Sequence, residues 1–373
     1  MSVFTPGSER VGFVAAQTSS CGELQAAARH CASTGGTLLV SSREALDQAR
    51  RIRAMSDLTM IVDVFRWRRT WANSEIPTAL HEGFGLALQG ADDWAGDVLR
   101  ASRADAVLLP AFMVKAGDTL ALAALLETTA DSTVPELIDF VPTEARSLST
   151  RYIDDFLACL QRYPRRRRAF LFADVREPLA KFDRLQGLRR LLHAFPGSLI
   201  VGVDALVGVD ALAHGAGWAG VGASSSRRWP QRPDDTGGRP PADGYLPGTW
   251  LRELLEMRSP NYYADWYANA PSPRCRHCAR LLDLFETTWA DKTAIIEHNL
   301  HGIRDYGREL WTQPPDDRIK WLKTTRLRAL QAHVDLGSVT KKVEADLALR
   351  RLCEVDDEPA YRQTTPDGRW QPM

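Results

Sequence analysis

Between residues 11 and 223 the chain repeats one unit. A short, almost continuously apolar run is followed by a longer segment in which Ala and Leu are interspersed with charges. Eight such runs occur, at 11–17, 37–41, 59–64, 105–111, 136–141, 169–173, 198–203 and 218–223. Runs this short and apolar suit strands buried on both faces of a parallel sheet. The stretches between them have the composition of helices, and parallel strands need such crossovers. Eight strands joined by seven crossovers predict an α/β protein with a TIM-like (β/α)8 barrel; an open, doubly wound sheet is the alternative.

The barrel is expected over residues 1–248 and a mainly helical segment over 249–373. Lys plus Arg equals Asp plus Glu at 47 each, so net charge favours neither nucleic acid nor membrane. The first residues lack the basic and apolar regions of a signal peptide, and no run reaches the roughly 18–20 apolar residues of a membrane span. A cytoplasmic protein is the expectation, and its six cysteines then read as thiols rather than a disulfide framework.

Two cysteines stand apart. Cys275 and Cys278 form a Cys-x-x-Cys turn, with nineteen residues between Cys278 and His298 and with His301 three positions further on. Two thiolates and an imidazole are the donors Zn2+ prefers, and His298 and His301 would share one helix face. A structural zinc site is expected at Cys275, Cys278 and His298, with His301 as the first choice of fourth ligand.

This segment, with its His298–Asn299–Leu300 run, resembles the zinc subdomain of the tRNA-guanine transglycosylase family. The resemblance implies a barrel with zinc near its end and binding to tRNA or DNA. Cys275, Cys278 and His298 match three of the family's zinc ligands, and Pro273 stands where its first cysteine would fall. Residues 202–222 are similar to the strand, helix and strand that carry the family's nucleophilic aspartate, whose place is taken by Gly222. Glycine cannot attack a ribose carbon. The resemblance therefore implies a member without guanine exchange, paired with a catalytic partner or with a second copy of itself.

In a barrel, functional groups gather where strands end. Asp174 and Asp204, just past two clean strand candidates, and Asp63, inside the run that precedes the long third connection, are the expected catalytic carboxylates, able to divide acid and base roles. Arg66, Arg68, Arg69 and Trp71 open the long third connection, and Arg227 and Arg228 follow the last strand. Arginines contact phosphates and aromatic rings stack on bases, so these six form the candidate nucleic-acid surface. Residues 224–248, rich in Gly, Pro, Arg and Asp, read as a mobile loop or lid. The functional expectation is a transglycosylase-like, nucleic-acid-binding protein. The alternatives are a small-molecule barrel enzyme using Asp174 and Asp204, or an interaction subunit whose aromatic stretch at 261–269 meets a partner.

Overall fold

The computed structural model describes residues 9–17, 22–80, 90–163, 166–235, 247–282, 284–286, 288–340 and 343–357. Cys21 lies outside them, as do His81 and Glu82 of the long third connection.

Eight strands form a closed barrel in sequence order: β1 Val11–Ala15, β2 Thr37–Ser41, β3 Thr59–Asp63, β4 Ala106–Leu108, β5 Leu137–Glu144, β6 Arg168–Ala173, β7 Leu199–Val203 and β8 Trp218–Gly222. All neighbours run parallel, and β8 closes on β1 through pairs such as Gly12↔Gly220 and Val14↔Gly222. The open-sheet alternative is thereby excluded. Nearly every strand residue is buried, as expected of strands packed on both faces.

Seven helices fill the crossovers: α1 Glu23–Thr34, α2 Ala45–Met55, α3 Ala91–Ser102, α4 Thr119–Glu127, α5 Ile153–Gln161, α6 Phe182–Ala194 and α7 Ala205–Ala213. After β8 comes only a single turn, α8 Ser225–Arg228. The eighth outer position, between α7 and α1, is filled by a helix from far along the chain. This is α10, Trp289–Thr312, which packs on α1, α7 and β1. The β9 Thr249–Leu251 and β10 Glu256–Arg258 hairpin precedes α9 Pro260–Trp266, and α11 Arg318–Val339 and α12 Leu347–Asp357 pack against α6 and α7. Tyr263 and Trp266 of the aromatic stretch are buried in a small second core with Leu251, Leu282 and Ile295, whereas Tyr262 is exposed.

The inner face of β8 decides how full the barrel is. Val221 points outward, toward Gly208 of α7, so Trp218, Gly220 and Gly222 point inward. The Trp218 indole lies over Gly12 and Gly220, where an added Cβ would come within 2.4 and 2.6 Å of its ring. At Gly222 an added Cβ would come within 2.2 Å of the backbone of Arg227 and Arg228. The barrel is filled below by an indole and above by the main chain of α8.

Buried ion pairs join the last helices to the barrel. Arg326 of α11, fully buried, donates to Asp210 of α7 at 2.7 Å and to Asp356 of α12 at 2.8 Å. Arg189 of α6 donates to the same two carboxylates, at 2.8 and 2.7 Å. No described helix is long and apolar enough to cross a membrane, and the five described cysteines are free thiols.

Candidate functional site

The three expected carboxylates stand at the C-terminal ends of β3, β6 and β7, and their surroundings differ. Asp63 is buried and accepts from the Ser41 hydroxyl at 2.6 Å, the Phe65 amide at 2.8 Å and the Trp67 indole at 3.0 Å. Burial lifts its pKa despite these donors. Asp174 is burdened by burial too, but the Val175 amide and Arg184, at 2.6 Å, outweigh it and hold the carboxyl below its ordinary value. Asp204 caps α7 by accepting from the Val207 amide at 2.9 Å. Its burial, reinforced by the nearby charge of Asp346, pushes the pKa up to about 6. Asp63 and Asp174 are thus held by neighbouring side chains and amides, and Asp204 lines the cleft at the mouth.

That cleft lies between the barrel mouth and the appended segment, with Glu177, Asp204, Trp229, Trp250, Glu256 and Asp346 on its walls. Glu256 is engaged by His333 at 2.5 Å and by Arg258. Glu177 sits at φ 41° after β6, a left-handed conformation uncommon away from glycine. Burial raises the proton affinity of both Glu177 and Asp346. Sequence reasoning missed these acids. Glu177 follows a strand and was within reach of a strand-end search, but Glu256 and Asp346 arrive from a segment with no periodic signal toward the mouth.

The residues expected to hold nucleic acid are largely engaged by the chain itself. Arg68 donates to the carbonyls of Arg232, Pro233 at 2.8 Å and Asp235 at 2.6 Å, and to the Gln231 side chain at 3.2 Å. Trp71 donates from its indole to Asp234. Arg227 lies over the Phe65 ring at 4.7 Å, and the buried Arg228 reaches the carbonyls of Gly222 and Ala223. Arg66 and Arg69 belong to the same turn as Arg68, half-buried and exposed respectively. Residues 224–235, read from sequence as the start of a mobile lid, are described and pinned across the mouth by these contacts and by the bond from the Asp174 amide to the Pro230 carbonyl at 3.0 Å. The rest of that loop, 236–246, lies outside the described residues.

In the appended segment Cys275, Cys278 and His298 come together, their donor atoms within 4.8 Å of one another. The turn is folded for this. Cys275 Sγ accepts from the amides of His277 at 3.3 Å and Cys278 at 3.5 Å, the Cys275 amide donates to the Arg280 carbonyl, and Ala279 takes φ 55° to reverse the chain. His298 Nε2 lies 2.7 Å from the Trp250 carbonyl, and a carbonyl can only accept, so this nitrogen carries the proton. Nδ1, 3.8 Å from Cys278 Sγ, is left with its lone pair toward the thiols. A histidine held by its far nitrogen on a carbonyl is the arrangement of a metal ligand, so the donor set fits an ion. Burial raises the Cys275 thiol, but His298 when protonated and the His277 and Cys278 amides outweigh it and bring the thiol's pKa down. His301 does not join the group. Its ring stacks on His277 at 5.0 Å and meets His30 edge-on at 4.8 Å, while His277 Nε2 is 2.5 Å from Asp305.

Trp250 links the two regions. Its carbonyl accepts from His298, its amide donates to Asn299 Oδ1 at 2.7 Å, and it lines both the mouth cleft and the cleft beside the cysteines. No protein-family model and no curated protein matches the chain. Among solved structures it is similar to two of catalytic-site mutants of active domain 2 of chitinase from Pyrococcus furiosus, one of them complexed with chito-oligosaccharides. Both are 15% identical to it; the likenesses cover 58% and 59% of this chain and 84% and 85% of those chains, with TM-scores of 0.35 and 0.34.

Proposed function

We propose that the protein is a barrel enzyme acting on a small polar molecule by proton transfer, with Asp204 as the proton carrier and a structural zinc in the appended segment. The observation that carries this reading is Asp204 itself: a carboxyl at a strand's C-terminal end, lining a cleft, with its pKa raised to about 6. A group that exchanges its proton near neutral pH serves equally as acid and as base. The neighbouring Glu177 and Asp346 disfavour anionic substrates, and Trp229, Trp250 and Leu255 on the walls suit an uncharged or cationic one with an apolar part. A thermal-shift screen of neutral and cationic metabolites identifies the ligand class. For a compound that is turned over, Asp204→Asn is expected to lower kcat by about 10²–10⁴ with little effect on binding. Turnover undiminished in that variant would remove Asp204 from the chemistry.

Zinc is the ion that two thiolates and an imidazole fit best. When bound it would be held by Cys275, Cys278 and His298, and it would fix the turn against α10. Metal analysis tests this: about one zinc per chain is expected, and none when both cysteines are changed to serine.

The same convergence of donors supports kinship with the transglycosylase family as a second reading, with a barrel that has no base-exchange nucleophile. In that reading tRNA or DNA is bound together with a catalytic partner or a second copy. Titration against tRNA and duplex DNA at two salt concentrations tests it, and lack of binding to both at low salt rules it out.

A further inference from the structure

The two cysteines of the metal candidate lie within reach of solvent and of each other. Both belong to one short turn, closed by the Arg274↔Leu281 bridge and by the Cys275 amide on the Arg280 carbonyl at 3.0 Å. The turn brings the two sulfurs within 4.8 Å. A disulfide needs about 2.05 Å between sulfurs, and three positions apart on one turn that gap closes without moving a helix. Cys278 is exposed, Cys275 is half-buried, and the cleft beside the turn opens on Cys275. Cys31, Cys159 and Cys353 are buried. Among the described thiols, an oxidant in solution therefore meets this pair first.

The coordination offered here leaves the sulfurs unshielded. Tetrahedral zinc takes four ligands, and among the described residues only three donors converge. The two nearest imidazoles are engaged elsewhere, His301 in its ring stack and His277 with Asp305. Sulfurs that hold zinc are thiolates, the form that oxidants attack. The turn also has attachments to α10 that do not involve sulfur: His277 to Asp305 at 2.5 Å and Arg280 to Asp291 at 2.7 Å. These keep the cysteines facing His298 whatever the state of the sulfurs, so the site can be rebuilt after reduction.

We infer that the Cys275–Cys278 turn is a reversible peroxide-sensitive switch: oxidation joins the two sulfurs and releases the ion, and a dithiol reductant restores the site. One thiolate attacks a peroxide oxygen, breaking the O–O bond to give a sulfenic acid and hydroxide. The second thiolate attacks that sulfur, forms the S–S bond and expels a second hydroxide. Both hydroxides take protons from solvent and leave as water, and the pair has given up two electrons. His298 is then the ion's one remaining ligand among the three, so the ion is lost. In the reverse direction a dithiol exchanges with the bond, returns the two electrons and leaves as its own disulfide. The release of metal rests on the zinc reading above; closure of the disulfide does not.

The full-length chain, reduced and loaded with zinc, is treated with a few equivalents of hydrogen peroxide. A metallochromic dye follows free zinc, and peptide masses after alkylation locate the disulfides. Roughly one zinc released per Cys275–Cys278 disulfide is expected, with zinc taken up again after dithiothreitol. The peptides holding Cys31, Cys159 and Cys353 should oxidise at least about tenfold more slowly. Cys21→Ser is expected to change none of this, since the pair closes on itself. Zinc retained with both thiols reduced overturns the switch and leaves the zinc reading standing. Zinc lost with either cysteine as a sulfinic acid, or bridged to any other cysteine, overturns the switch as well. A chain that takes up no zinc overturns the zinc reading and the release step; the reduced chain is then oxidised directly, and absence of the disulfide overturns what remains.

Discussion

Among single residues, Asp204 has the most consequential environment. Its carboxyl binds a proton more tightly in the folded chain than free in water, rising from the ordinary 3.8 to about 6. The folded state therefore holds more protons than the unfolded one across that interval. The stability this gives is complete below the ordinary value and is lost as pH rises through about 6. Asparagine keeps the cap to the Val207 amide and never ionises. Asp204→Asn is accordingly expected to be more stable than the parent at neutral pH, by on the order of 2 kcal/mol, with the gap closing in acid. Melting temperatures followed from acid to neutral pH check this. A gap of the same size at both ends would mean that no desolvated charge is involved. Asp63 and Asp174 look equivalent to Asp204 in sequence, because each stands at or just past the end of an apolar run. What separates them is the partner each meets, the Trp67 indole or Arg184 against an open wall, and no local pattern encodes that.

At the scale of elements, the short helix α8 sets the shape of the mouth. Its main chain sits where a side chain on Gly222 would be, so even one methyl group there must displace backbone. Gly222→Ala is expected to destabilise the protein by about 1–3 kcal/mol, measured as a lower denaturant midpoint. An unchanged midpoint would show that α8 yields freely. The strands themselves were legible, because a residue buried on both faces must be apolar and such runs stand out. All eight expected runs became strands, though 136–141 extends to Glu144 and 105–111 shrinks to Ala106–Leu108. The Cys-x-x-Cys turn and His298 were legible too, since spacing and donor chemistry are local. The eighth outer helix was not. Nothing around Trp289–Thr312 says that it packs between α7 and α1. Nor does the arginine-rich turn at 66–69 announce that Arg68 will be used up by carbonyls more than 160 residues away.

For the molecule as a whole, the appended segment is part of the barrel's construction. Helix α10 completes its outer ring, and the buried Arg326 ties α11 and α12 to α7 through Asp210 and Asp356. Removing one partner of such a network leaves charges stranded in a medium that cannot solvate them. Arg326→Ala is expected to cost about 3–5 kcal/mol, and the loss should appear as one cooperative transition in urea, because barrel and appended helices share the network. Two separate transitions would show that the halves melt on their own. The shared Trp250 wall extends this unity to ligands. Its peptide group is clamped by His298 and Asn299, its indole packs on Gly302 of α10, and the residue lines both clefts. Any molecule that nudges the ring from one side alters the room available on the other, and reciprocity requires the influence to be equal in both directions. A chain built this way would sense, at its entrance, what is held more deeply in its flank.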